Sequence, residues 1–132
     1  MNRIAGTITQ IHTEGSLSLV TAETKAGECS AIVIDTPDTN ALLKTGKPVQ
    51  LIFKETEVAI GTGPTPSVSL QNRLKGTISQ LDHAPLLSKV VIATAAGPVT
   101  AIITSKAVAA LELDEGKEAV ALIKTNEIML AE

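Results

Sequence analysis

Apolar residues alternate with polar ones from the start of the chain. Ile4, Gly6, Ile8 and Gln10 fall on one side of an extended segment, and Arg3, Thr7, Thr9 and Ile11 on the other. That two-residue period is the signature of a β-strand. Short runs rich in β-branched residues follow at 17–20, 30–34, 49–54 and 57–60, then at 74–81, 87–94, 99–104, 119–124 and 127–130. Thr, Ile and Val supply 39 residues, and these types suit a pleated, half-buried surface. One stretch departs from the pattern. Residues 105–111 read as one or two helical turns, with Ser105 as the cap and Gly116 ending the turn that follows. Pro37 and Asp38 mark the same short turn earlier in the chain. Five short strands with a helical turn between the third and fourth, given twice, is the order of an OB-type barrel, a pattern other small β-barrels share.

The doubling is visible residue by residue. At an offset of 70 and without gaps, Asn2-Arg3-Ile4-Ala5-Gly6-Thr7-Ile8-Thr9-Gln10 answers to Asn72-Arg73-Leu74-Lys75-Gly76-Thr77-Ile78-Ser79-Gln80, and Gly46-Lys47, Lys54 and Glu57 answer to Gly116-Lys117, Lys124 and Glu127. Nineteen of the 59 positions from Asn2 to Ile60 are identical. This period exceeds the roughly 20–50 residues of solenoid repeats, so it marks two tandem copies of a small domain. The predicted division is a first OB-like domain over 1–62, a linker over 63–68 within a Gly/Pro-rich stretch, and a second domain over 69–132. A domain of about 60 residues buries only about 60% of its unfolded surface and is marginal alone. Packing against its twin or a partner subunit is the expected remedy.

Composition narrows the function. Phe53 is the only aromatic residue and the net charge is −3, so neither base-stacking platforms nor a basic groove is available and nucleic acid is not an expected partner. No apolar run approaches the roughly 18 residues that span a bilayer, and the N-terminus has no signal-peptide pattern. A lone Cys29 fits a reducing compartment. No membrane association and a cytoplasmic location are therefore expected. Enzyme parts are also missing. His12 and His83 occupy unrelated repeat positions without metal-ligand spacing, Cys29 sits among small residues as a buried apolar residue would, and there is no phosphate-binding glycine loop. The acids Asp114, Glu115 and Glu118 surround Gly116 as a solvated turn would. The chain is expected not to be an enzyme.

What recurs is a set suited to a small anion. Asn72-Arg73 opens the first strand of the second copy, Ser69 precedes it, Thr104-Ser105 lies at the strand-to-helix junction, and Lys124 closes the fourth strand. The first copy keeps Asn2, Arg3 and Lys54. Hydroxyls, an amide and backbone N–H groups can donate from several directions, while Lys adds one compact charge. A tetrahedral oxyanion offers four acceptor oxygens to such a set. Taken singly, each residue also has an ordinary reading as a strand former, a turn or a solvated side chain.

The second copy contains Ser69-Leu70-Gln71-Asn72-Arg73-Leu74-Lys75-Gly76 and, near its end, Leu122-Ile123-Lys124-Thr125-Asn126-Glu127-Ile128. These resemble the Ser-Ala-Arg-Asn-x-Leu-x-Gly opening and the Val-Lys-(Ser/Ala) ending of the molbindin, or Mop-type TOBE, domain. The resemblance implies two five-stranded OB barrels in tandem that bind molybdate or tungstate in the cytoplasm, for molybdenum storage, homeostasis or sensing. It also implies sites between subunits of a homotrimer. Carried over by residue, Ser69 matches the signature Ser, Lys124 and Thr125 match the Lys segment, and Thr104 matches a Thr donated across the interface. Gln71 replaces the signature Arg, with Arg73 two residues on. In the first copy Ile34 replaces the Thr and Glu55 follows Lys54, so the two copies are expected to be unequal. The alternative implied is an oligomerising TOBE-type accessory module of a transporter or transcription regulator, with weak or lost anion binding.

Overall fold

The alternation at the start of each copy becomes the longest strand of a five-stranded antiparallel sheet in the computed structural model, which describes residues 1–64 and 66–132. Thr65, inside the predicted linker, lies outside the described residues. The first copy forms β1 (Asn2–Glu14), β2 (Leu17–Thr24), β3 (Gly27–Val33), β4 (Pro48–Phe53) and β5 (Ala59–Gly61). The second forms β6 (Asn72–Asp82), β7 (Leu87–Thr94), β8 (Gly97–Thr104), β9 (Glu118–Ile123) and β10 (Met129–Ala131). The architecture is almost wholly β, as the pattern of residues requires. Among the described residues, helix is confined to α1 (Ser105–Ala110) and to two 3-10 turns, Glu55–Glu57 and Thr125–Glu127.

Three local expectations are corrected. The short turns between the third and fourth strands are unequal: the second copy extends its turn into a helix. In the first, a turn forms in which Asn40 donates its N–H to the Thr36 carbonyl at 2.9 Å, because Pro37, Asp38 and Asn40 favour turns over continued helix. The fifth strands begin later than the patterns at 57–60 and 127–130 suggest, since Glu57 and Glu127 belong to the 3-10 turns. Finally, Gln10 does not share a face with Ile8. The pairing of β1 with β2 steps from Ile8↔Ala22 to Gln10↔Thr21, leaving Thr9 as an extra residue. This bulge turns Gln10 outward and Ile11 inward, and β6 repeats it between Ile78 and Gln80.

The bulge explains why Gly-Lys recurs. Gly46 donates to the Ile8 carbonyl at 2.7 Å while Ile8 donates to that of Lys47 at 3.0 Å; Gly116 and Lys117 do the same for Ile78 at 2.8 and 2.9 Å. Gly46 and Gly116 take φ of +89° and +88°, the region where a side chain is costly.

Neither sheet is built from one copy. The strand orders are β10-β4-β1-β2-β3 and β5-β9-β6-β7-β8. Each copy therefore sends its short fifth strand into the other sheet, with Leu130 opposite Leu51 and Ile60 opposite Ala121. Buried apolar residues from both copies, among them Ile4, Phe53, Leu74 and Ile123, form one contiguous core. The marginal size of each copy is met inside the chain, by exchange. Among the described residues no helix is long and apolar enough to cross a membrane.

Candidate oxyanion-binding site

Of the residues singled out in the sequence, Ser69, Gln71, Lys124 and Thr125 come together. They line a hollow of about 290 Å³ with Leu70 and Asn126. Two segments build it. One is the stretch leading into β6, and the other is the turn after β9, where Lys124 in extended conformation precedes the 3-10 turn Thr125–Glu127. The turn places Lys124, Thr125 and Asn126 in succession beside the incoming segment, an arrangement that a continuing strand would have split between two faces. Two lining residues are absent from the sequence candidates, the apolar Leu70 and the polar Asn126. The position of Asn126 two residues after Lys124 was its only signal. The hollow offers hydroxyls from Ser69 and Thr125, amides from Gln71 and Asn126, and the Lys124 ammonium. Among the described residues no carboxylate lines it. Ser69, Gln71, Lys124 and Asn126 are all exposed, so the hollow is open to solvent.

Other candidates stand apart from the hollow. Asn2 and Asn72 are buried and their amides hold backbone. Asn72 accepts from the Ser30 N–H at 2.7 Å and donates to the Ser30 carbonyl at 2.8 Å. Asn2 does the same to Thr100, at 2.8 Å in both directions. Each thereby satisfies one donor and one acceptor on the outermost strand of the opposite sheet, groups that an edge otherwise leaves unpaired. With the oxygen and one N–H of each amide held by backbone, and both residues buried outside the lining of the hollow, the shared Asn is a structural clasp. Thr104 accepts the Ala107 N–H at 3.1 Å and so caps α1. Ser105, expected as that cap, instead shares a 2.7 Å hydrogen bond with Ser88 and donates to the Ala84 carbonyl. Neither lines the hollow within one chain.

Arg73 is also engaged locally. Its Nε donates to the Leu70 carbonyl at 3.0 Å and its Nη2 to that of Val68 at 2.8 Å, with Nη1 on the Pro66 carbonyl. Arg3, its counterpart, is exposed.

In the first copy Lys54 occupies the place of Lys124, and Glu55 that of Thr125. The Glu55 carboxylate pairs with the Met1 ammonium, and that hydrogen bond holds it below the usual carboxylate range. A carboxylate already matched to a cation stands where the second copy offers a hydroxyl. Ile34, in the place of Thr104, is exposed and offers no donor. Cys29 is buried, and burial followed by Glu23 and Glu28 pushes its thiol up to about 11, which keeps it protonated and inert. A larger hollow of about 440 Å³ lies along Lys75, Thr77 and Glu118 beside Gly63 and Pro64. It gathers none of the candidates, and Glu118 opposes an anion there.

Residues 69–130 match the TOBE domain model. The chain is 29% identical to the molybdenum transport protein ModE of Herbaspirillum seropedicae over 133 residues, covering 98% of this chain and 49% of the relative. It is 34% identical to the molybdenum-pterin-binding protein MopB of Rhodobacter capsulatus over 91 residues, covering 67% of this chain and 34% of the relative. It thus spans about half the length of the first relative and about a third of the second. A crystal structure of the cytoplasmic molybdate-binding protein ModG with molybdate bound superposes with a TM-score of 0.89 at 27% identity, over 98% of this chain and 94% of that one. The match to ModG runs through both barrels, and the TOBE match falls on the copy that carries the hollow. By this sequence and structural likeness the chain belongs to the molbindin, or Mop-type TOBE, family.

Proposed function

We propose that the chain binds molybdate or tungstate in the cytoplasm, with no catalytic step, using the hollow between Ser69 and Asn126 as its half of the site. The convergence of Ser69, Gln71, Lys124, Thr125 and Asn126 carries this reading. Hydrogen bonds from neutral donors to an ionised oxyanion are shorter and stronger than neutral pairs, and Lys124 adds attraction without a competing carboxylate. A cavity sized to the larger anion, with donors already placed, discriminates against sulfate by geometry. The hollow is open, and on this reading a second subunit covers the anion. Thr104, exposed at the end of β8, is available to do so from another copy, which supports a homo-oligomer, a trimer by family resemblance. Storage or buffering of the anion follows from such a role.

Isothermal titration is expected to show molybdate and tungstate binding at least a hundredfold more tightly than sulfate, a difference of roughly 3 kcal/mol. Equal affinities would sink the proposal. Lys124→Ala is expected to weaken molybdate binding roughly tenfold or more, as loss of a charge-assisted contact does, while circular dichroism and the melting temperature stay unchanged. Unchanged affinity would make Lys124 a solvated surface charge.

The half-length match to ModE favours one other reading, an oligomerising module that serves a transporter or regulator. Native mass spectrometry separates the two: an oligomer whose mass never rises with molybdate supports the module.

A further inference from the structure

We infer that Arg73 is the positioning residue of the oxyanion site, a clamp that shapes the segment bearing Ser69 and Gln71 and does not itself touch the anion. Its three hydrogen bonds reach alternate carbonyls, Pro66, Val68 and Leu70. The segment is thereby wrapped around one guanidinium at the foot of β6. Arg73 is half-buried, and its neighbour Asn72 is locked to Ser30 at both ends of its amide. The clamp thus stands on a strand anchored to the opposite sheet. Ser69 lies between two clamped carbonyls, and Gln71 follows the third.

A planar guanidinium with five donors in a rigid fork can satisfy three carbonyls at once, whereas an ammonium is a compact point charge on a flexible stem. The carbonyl oxygens that accept from Arg73 are drawn to a cation, so they are not free to oppose an anion. A segment fixed before the ligand arrives loses less entropy on binding, and that gain appears as affinity. Gln71 stands where the molbindin signature has Arg, and the Arg of this chain stands two residues on. The displaced Arg acts differently, giving up a charge at the anion and ordering the segment that meets it.

The affinity part of this inference rests on the oxyanion reading, and the order of the segment rests on geometry alone. Three variants of the full chain test both: Arg73→Lys, Arg73→Gln, and Arg3→Gln as a control. Hydrogen exchange over residues 66–71 is measured without ligand, and molybdate affinity by titration. Both Arg73 variants are expected to exchange faster in that segment and to bind molybdate roughly tenfold more weakly. Arg3→Gln is expected to change neither. The segment is a surface loop, so thermal midpoints are expected to move little. Arg73→Lys binding as wild type would overturn the clamp in favour of a simple charge effect. Weaker binding with exchange over 66–71 unchanged would also overturn it, since Arg73 would then act on the anion directly. If the wild-type chain binds no molybdate, the functional proposal fails, and the exchange result alone still decides whether Arg73 orders the segment.

Discussion

Replacing Asn72 by alanine is expected to destabilise the protein by about 3 kcal/mol, because two hydrogen bonds vanish and two backbone groups lose their partners. The amide is almost fully buried, at 1% exposure, and it bridges β6 to the Ser30 N–H and carbonyl on β3. For a chain of this length the melting temperature should fall by roughly 10 °C. Asn72→Asp sharpens the test. A carboxylate still accepts from the Ser30 N–H, but it sets a second acceptor against the Ser30 carbonyl. Only the protonated acid can donate there. The folded state therefore favours the proton, and the pKa of the introduced Asp rises above its unfolded value. The stability it recovers is present below the unfolded pKa and is lost as pH rises through the folded one. Measured as a difference from wild type, Asn72→Asp should be most damaging at neutral pH and improve in acid. An unchanged melting temperature for Asn72→Ala would show that water replaces the amide at no cost and that the clasp is incidental.

The clasp is also where sequence and structure part most instructively. A shared Asn-Arg pair opening each copy reads as a repeated binding element, since recurrence and donor chemistry are all that a sequence offers. The structure divides the pair. Asn belongs to the contact between copies, recurring because each copy makes that contact once, and Arg73 belongs to the segment before its own strand. The strands themselves were legible, because a two-residue period shows which side chains face the core. The bulges at Thr9 and Ser79 were not, because an extra residue alters the period only locally. Strand exchange was invisible for a different reason. The fifth strands of the two copies are short and alike in pattern, so nothing local tells β5 to join β9 in place of β4. The linker and the packing of the whole chain decide it. The hollow was half legible: Ser69, Gln71, Lys124 and Thr125 came from the family pattern, while Asn126 depended on a 3-10 turn that the strand pattern hid.

Phe53→Ala should destabilise both sheets at once, by about 3–5 kcal/mol, the usual cost of emptying a buried aromatic site. Phe53 is 1% exposed and lies opposite Asn2, whose amide clasps Thr100 in the other sheet. The same strand, β4, carries β10 from the second copy along its other edge. A cavity at Phe53 therefore loosens a strand that is shared, a clasp that is shared and a core that is continuous between copies. If the copies folded independently, hydrogen exchange would quicken in β1–β4 and leave β6–β9 protected, with two unfolding transitions. Exchange of strands predicts the opposite: protection falls together in both sheets, and calorimetry shows one transition at a lower temperature. Ile123→Ala, at the matching position of the second copy and likewise buried, should lower the same single transition. Two separate transitions in either variant would mean that each copy is stable alone. A core of about 60 residues without disulfide or metal rarely achieves that, and the exchanged strands give each copy what its own length withholds.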